Sequence, residues 1–420
     1  MKIFIEKSRI AGRISAPPSK SYTIRALMCA ALAGGESEIR HPLTAEDTVA
    51  AADVLHEIGI TTRREKEPWR VSGGDFRVPE TDLFCGDSAA TLRFLTAICS
   101  VVPGQCRLVA GPSLARRPVG VLVQALRRLG VDCAASGELP PVTVNGGTLK
   151  GGLTEIPGDI SSQFISALLL VAPRAVDGMT IRLTTPLESR PYIRMTLDCL
   201  QKFGITVDVS ESLDEYKINR QTYRPTEYEV EGDWSSAAYF LALGAVSGPI
   251  EITNLNPASA QGDKMMLNFL RDMGAAVEIN HHAVTVRKAK LKALRADLTD
   301  CIDLLPTVAV LAAVAEGASE FTGISRARLK ESNRVTAVKE GLERMGVKVI
   351  EERNKLTIVG STPHGAIIDS MNDHRIAMAF SVLGTVVGGT VIEGAECVNK
   401  TFPQFWDILE STGGKLETDG

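Results

Sequence analysis

Two kinds of hydrophobic pattern alternate along this chain, and each recurs six times. The first is an alanine-rich, largely apolar run, found at 20–33, 88–102, 161–172, 235–246, 306–316 and 374–388. Each run ends at or near a glycine followed by a β-like stretch. Those glycines are Gly35, Gly104, Gly178, Gly248, Gly317 and Gly389, spaced 69, 74, 70, 69 and 72 residues apart. The second pattern is an amphipathic helix that closes on glycine and passes into a short alternating strand: VLHEIGITT, ALRRLGVDC, CLQKFGITV, FLRDMGAAV, GLERMGVKV and ILESTGGKL. Its glycines, Gly59, Gly130, Gly204, Gly274, Gly346 and Gly413, recur after 71, 74, 70, 72 and 67 residues. Glycine just past a helix is expected because it accepts the left-handed conformation.

Two series in phase through six cycles predict an α/β chain of six helix–strand–helix–strand units, the signature of an internal repeat. Three units fill 17–224 and three fill 225–420, with Asn219 to Pro225 as the linker. The N-terminal strand, residues 1–16, could complete either half and is assigned to the second. Pro118, Pro191 and Pro403 are expected in the first turn of second-series helices, where a missing N–H is harmless.

Composition narrows the possibilities without naming one. The length of 420 residues fits two or three domains. The formal net charge of −4 offers no global field to nucleic acid or an anionic membrane, so an anion site must be built locally. The eight cysteines form no Cys-x-x-Cys pair and read as reduced core thiols. The N-terminus alternates like a strand and has no secretory apolar region. The longest apolar stretches, such as Val308 to Ala315, fall short of the ~18 residues that span a bilayer. A soluble, cytoplasmic, monomeric protein is expected. His281 and His282, beside an alternating strand, are expected at the surface, and the histidines have no metal-ligand spacing. No P-loop, dinucleotide fingerprint or nucleophile elbow is present.

The starts of the apolar helices carry the chemistry. They read Ser19-Lys20-Ser21, Asp87-Ser88-Ala89-Ala90, Ser161-Ser162-Gln163, Asp233-Trp234-Ser235-Ser236, Asp303-Leu304-Leu305-Pro306 and Asp373-His374-Arg375. Serine and aspartate are good N-caps, and capping suffices for 233–236. Lys20 and Arg375 do not fit that reading, because a cation there opposes the helix dipole by about 0.3–1 kcal/mol. An anion bound to both the cation and the free N–H groups resolves the conflict. The second series repeats the oddity with Arg117 before Pro118, Arg190 before Pro191, Lys400 before Pro403, and Lys330 and Arg334 at 330–334. Together they suit a small phosphorylated or carboxylated substrate.

The motifs themselves resemble those of the EPSP synthase (3-phosphoshikimate 1-carboxyvinyltransferase) family. They are Pro17-Pro18-Ser19-Lys20-Ser21-Tyr22-Thr23-Ile24-Arg25, Gly86-Asp87-Ser88-Ala89-Ala90-Thr91-Leu92-Arg93 and Arg116-Arg117-Pro118. Further on stand Ser161-Ser162-Gln163-Phe164, Ser189-Arg190-Pro191-Tyr192 and Arg328-Leu329-Lys330-Glu331-Ser332-Asn333-Arg334. Asp373-His374-Arg375 and Asn399-Lys400-Thr401-Phe402-Pro403 complete the set in family order.

The resemblance implies an inside-out α/β barrel in each of two domains, with a cleft between them for shikimate 3-phosphate and phosphoenolpyruvate. It matches Lys20, Ser21, Arg25, Ser161, Ser162, Gln163, Ser189, Tyr192, Asp303 and Lys330 to the shikimate 3-phosphate site. Lys20, Ala89, Arg117, Gln163, Arg334, Arg375 and Lys400 match the phosphoenolpyruvate site. Asp303, Glu331, Lys20 and His374 match catalytic positions: Asp303 as base for the 5-hydroxyl, Glu331 or Lys20 for the C3 proton, and His374 near the reacting carbons. No cofactor or metal is implied, and the pathway would be aromatic amino-acid biosynthesis through chorismate.

Four departures stand out. Ala89 replaces a common glycine, a change associated in this family with insensitivity to glyphosate. Asp87 replaces a common asparagine, Asn333 the usual aspartate, and Arg326 an asparagine that some relatives use on the substrate phosphate. Two rivals remain. The sister transferase acting on UDP-N-acetylglucosamine carries Lys-Asn where this chain has Lys20-Ser21, and usually a loop cysteine; Cys106 is too far from Arg117 to match it. A non-catalytic anion-binding protein would not need the Asp303 and Glu331 carboxylates.

Overall fold

The computed structural model describes residues 1–280 and 283–419, so the expectation for His281 and His282 lies outside the described residues. The chain divides into two compact units, Pro18–Val230 and Met1–Pro17 with Glu231–Gly420.

In the 18–230 unit the apolar runs form α1 (Lys20–Leu32), α3 (Ala89–Ile98) and α5 (Ser162–Val171), and the amphipathic runs form α2 (Glu46–Glu57), α4 (Gly120–Arg128) and α6 (Arg190–Lys202). A helix that is apolar all round must be covered on every side. Residues 22–32 of α1 are buried, as is every residue of α5 except Gln163. The second series buries one stripe; in α6 it is Ile193, Met195, Thr196, Cys199 and Leu200. Removing a buried side chain such as Leu168, fully inaccessible to solvent, should cost about 2–5 kcal/mol.

Three four-stranded sheets cover these helices, and one rule generates all three. The strand after each apolar helix pairs in parallel with the strand before it, then antiparallel with the second strand of a hairpin, whose first strand forms the sheet edge. Thus 179–183 lies parallel to 152–156 and antiparallel to 215–218. The first repeat has no preceding strand of its own, and Glu227–Glu229 supplies it by pairing with 38–40.

The 231–420 unit repeats the plan with α7 (Trp234–Val246), α9 (Leu305–Ala313) and α11 (His374–Val387) as buried helices, and α8 (Met266–Asp272), α10 (Arg334–Arg344) and α12 (Phe405–Ser411) as the amphipathic set. Here the N-terminal segment fills the vacancies. Gly12–Ser15 pairs in parallel with Ile250–Thr253, and Lys2–Glu6 sits between Thr390–Glu393 and Lys415–Asp419.

Several details differ from the sequence reading. The linker expected at Asn219 to Pro225 is part of the first unit: Tyr223 is buried and its hydroxyl donates to the Leu170 carbonyl at 2.5 Å. The division falls between Val230 and Glu231, because 227–229 is needed to complete a sheet. Pro191 lies in the first turn of its helix, whereas Pro118 and Pro403 stand two residues before theirs. The six second-series glycines all have positive φ, from 81° to 105°, as C′ residues should. Gly248 has no positive φ; a Cβ there would meet the Ile10 carbonyl oxygen at 2.5 Å, so close backbone approach is its constraint.

Candidate active site

Four of the apolar helices expose only their first turn and bury every later residue. In α1, α3, α5 and α7 the residues that reach solvent are Lys20 and Ser21, Ala90, Gln163 and Ser235, all within the first two positions. These turns hold the positions singled out from the sequence.

Five of the six apolar helices are capped by a side chain. Ser19, Ser88, Ser161, Asp233 and Asp373 accept from Tyr22, Thr91, Gln163, Ser236 and Arg375 N–H groups respectively. The sixth departs from the rule. Asp303 lies in a 3-10 turn, Ile302–Leu304, and Leu304, which has no capping side chain, takes the N-cap position of α9. Its carboxylate faces cations instead: Arg334 Nη1 at 2.6 Å and Lys330 Nζ at 3.1 Å on Oδ1, and Arg375 Nη2 at 3.7 Å from Oδ2.

Arg334 organises this corner of the 231–420 unit. With 1% of its side chain exposed, it reaches Asp303, Glu331 Oε2 at 2.5 Å and Asp373 Oδ2 at 2.8 Å. Burial works against its charge, but Asp373, Glu331 and Asp303 outweigh that and raise its pKa. Lys330 is governed the other way: burial, only partly offset by Asp303, lowers its pKa to about 8. Asp373 is fully buried and also accepts from Ser332 Oγ at 2.9 Å, so one carboxylate caps α11 and fixes the start of α10. Lys400 is buried and donates to the Asn372 carbonyl at 2.9 Å, and His374 is buried at the first position of α11.

In the 18–230 unit two buried arginines, Arg25 and Arg93, donate to neutral groups. Arg25 is 2% exposed and donates from Nε to Thr196 Oγ1 at 2.9 Å, and to the Ser21 and Tyr192 carbonyls at 3.0 and 3.2 Å. Burial lowers its pKa. This fork ties the start of α1 to α6, where Ser189 is the buried N-cap residue in left-handed conformation, φ 55°. Such a conformation is costly for a serine and is retained where surrounding structure or function demands it. Arg93 does the same between α3 and α5, donating to Gln163 Oε1 at 2.7 Å, Ser161 Oγ at 3.2 Å and the Pro118 carbonyl at 3.0 Å. Its guanidinium stacks 4.7 Å from the Phe164 ring. Arg117 is buried just before α4, Ser162 is buried at the first position of α5, and Ala89 is 6% exposed at the first position of α3.

Lys20 has a partner within the protein, Asp47 Oδ2 at 2.8 Å. The dipole conflict is therefore offset locally as well as by any bound anion. Asp47, Arg93 and Asp373 bond to expected site residues, Lys20, Gln163 and Arg334 respectively, but are not themselves among the expected contact residues. Asp373 and Arg93 sit inside recognised motifs, whereas Asp47 has no local signal. Two of the departures have structural partners: Asn333 caps α10 by accepting from Thr336 N–H, as an aspartate would, and Asp87 Oδ1 accepts from the N–H groups of Ser113 and Leu114. Arg326 donates to the Thr299 carbonyl at 2.8 Å.

Six repeats that present cations, hydroxyls and carboxylates at helix starts define a transferase-like α/β protein for small anionic substrates. The chain belongs to the EPSP synthase (3-phosphoshikimate 1-carboxyvinyltransferase) family, whose model matches residues 5–409. A 3-phosphoshikimate 1-carboxyvinyltransferase of Dehalococcoides mccartyi is 49% identical over all of both chains. One from Methanocaldococcus jannaschii is 39% identical over 97% of each. Among solved structures, an EPSP synthase from Acinetobacter baumannii aligns at TM-score 0.83 and 25% identity, covering 99% of this chain and 100% of that one. The enolpyruvyl transferase NikO from Streptomyces tendae shares the fold at TM-score 0.80 and 16% identity, covering 99% and 98%.

Proposed function

We propose that this protein transfers the enolpyruvyl group of phosphoenolpyruvate to the 5-hydroxyl of shikimate 3-phosphate, releasing phosphate. The observation that carries the reading is Asp303, a carboxylate at an apolar-helix start that does not cap its helix and instead meets Arg334, Lys330 and Arg375. A carboxylate held this way can receive the hydroxyl proton as the oxygen adds to C2.

The remaining roles rest on residue type and setting. Lys20, Ser21, Arg25, Ser161, Ser162, Gln163, Ser189, Tyr192, Asp303 and Lys330 bind shikimate 3-phosphate. Lys20, Ala89, Arg117, Gln163, Arg334, Arg375 and Lys400 surround phosphoenolpyruvate, with Arg334 acting largely by fixing three carboxylates. Glu331 handles the C3 proton. A carboxylate held by Arg334 at 2.5 Å can take that proton as the adduct collapses. Lys20, an ammonium backed by Asp47, is the second proton carrier near C3. His374 is placed near the reacting carbons, and the cations stabilise phosphate and carboxylate charge throughout. No helix among the described residues is long and apolar enough to cross a membrane, and we assign the enzyme to the cytoplasm as a monomer.

The sister transferase chemistry has no thiol to use here: all eight cysteines are buried, and Cys106 lies in the strand Gly104–Val109. Mixing the protein with both substrates and measuring phosphate tests the reading. Release that required shikimate 3-phosphate would support it. Binding of both ligands without release would replace it with a binding protein.

A further inference from the structure

The turn Gly262–Met265 carries a carboxylate that none of the roles above uses. Asp263 is 3% exposed, and its Oδ2 accepts a hydrogen bond from the Ser235 hydroxyl at the start of α7. Its Oδ1 is buried with no hydrogen-bond partner among the described residues. A buried carboxylate oxygen without a donor is destabilising, so packing alone does not explain an aspartate here.

The turn is held firmly in place. Gln261 accepts from the Trp234 N–H at 3.0 Å and donates to the Gly232 carbonyl at 2.8 Å and to Glu231 at 2.7 Å. Lys264, next along the turn, donates to the Ser259 carbonyl at 2.5 Å. The charged groups facing Asp263 are Asp303 from the turn before α9, Arg375 from α11 and Asp233 from the cap of α7. The Cys301 thiol, also within its field, is pushed out of the titrating range by burial. Burial first, then the charge of Asp303, raises the Asp263 pKa to about 6, with Arg375 and Ser235 opposing.

We propose that Asp263 is a positioning residue for the transfer, a second carboxylate whose negative charge keeps Asp303 a competent proton acceptor among three cations. The proposal rests on the reading of Asp303 as base. No bond forms or breaks at Asp263: the hydroxyl proton passes to Asp303, and Asp263 acts only through its field. Arg334, Lys330 and Arg375 all place positive charge against the Asp303 carboxylate, and the neighbouring Asp263 carboxylate offsets part of it. When Asp263 takes a proton near pH 6, that offset disappears and turnover falls.

Two variants with different signatures test this, in the full chain and with phosphate release as the readout. Asp263→Asn keeps the shape but removes the charge. It should lower kcat about tenfold above pH 6, where the wild-type carboxylate is charged, leave both KM values within about twofold, and abolish the acid limb near pH 6. Ser235→Ala removes the hydrogen bond that favours the ionised carboxylate, so the acid limb should move to higher pH. In the double variant Ser235→Ala should add no shift. If both single variants keep the wild-type profile and kcat, the proposal is wrong. A loss confined to thermal stability with a normal profile overturns it equally. Should Asp263→Asn fail to fold, Ser235→Ala decides alone, and an unmoved acid limb sinks the idea. Wild-type protein that released no phosphate would remove the activity and this proposal together; an active wild type with unmoved variants removes this proposal only.

Discussion

The two units are built by one rule and use their cations differently. In the 18–230 unit, Arg25 and Arg93 direct their forks to hydroxyls, an amide oxygen and backbone carbonyls, while Lys20 meets Asp47. In the 231–420 unit, Arg334 is matched by three carboxylates and Lys330 by one, which leaves little net charge but several groups that can hold a proton. On the proposed roles, Asp303 and Glu331 put most of the proton transfer in the second unit, and the first supplies mainly binding groups, with Lys20 as its proton carrier. Repeat architecture permits this because the helix starts are equivalent positions whose side chains can be changed without touching the core.

The largest expected effect lies in the second unit. Asp303→Asn should lower kcat by roughly 10²–10⁴-fold while changing KM for either substrate far less, measured by steady-state phosphate release. A KM effect larger than the kcat effect would move Asp303 into the binding set and blur the division. Next comes the first unit. Arg93→Lys loses a planar fork that joins Gln163, Ser161 and Pro118, bonds worth about 1.5–3 kcal/mol each when a charge is involved. Affinity for the substrates, read by calorimetry, should fall by at least about tenfold with kcat less affected. A kcat loss with normal affinity would break the comparison from the other side.

That contrast is only partly legible in the sequence. The helix starts are, because capping needs Ser or Asp at one position and the repeat supplies that position six times. Yet Asp303 reads like another cap in the string Asp303-Leu304-Leu305-Pro306. Only the 3-10 turn at 302–304, which moves the N-cap to Leu304, frees its carboxylate. Asp47 and Asp263 give no local signal, since the first lies in an ordinary first helical turn and the second in a short connecting turn. Their meaning comes from Lys20 and Asp303, distant in sequence, which the fold brings near. The boundary expected after residue 224 falls six residues early for a similar reason: 227–229 is too short a strand to recognise until its partner 38–40 is known.

A pH series sharpens the comparison more gently. Burial lowers the Lys330 pKa to about 8, well below the unfolded value of 10.5. Below pH 8 the ammonium is charged and can meet both Asp303 and substrate. As pH rises through 8 that charge is lost in the folded protein, so substrate affinity should decline by a few-fold between pH 7 and 9. Stability has the opposite sign. Between about 8 and 10.5 the unfolded chain binds more protons at this group than the folded one, so the Lys330 contribution to stability rises with pH. Lys330→Met should flatten the alkaline fall in affinity measured by calorimetry. An unchanged fall would place its cause elsewhere.

The smallest effect concerns a single methyl group in the binding unit. Ala89 opens α3 in the turn whose next residue, Ala90, reaches solvent, and it is itself 6% exposed. If that methyl borders the phosphoenolpyruvate position, it should disfavour a bulkier anionic mimic such as glyphosate more than the substrate. Ala89→Gly should then tighten glyphosate inhibition by at least about tenfold, with kcat and KM for phosphoenolpyruvate within about threefold. The fold should tolerate the change, because glycine costs about 0.5–1 kcal/mol within a helix and less at its first position. An inhibition constant that did not move would detach α3 from the phosphoenolpyruvate set. A large fall in kcat would be more informative still, because it would show the binding unit taking part in the chemistry that the comparison assigns to the other half.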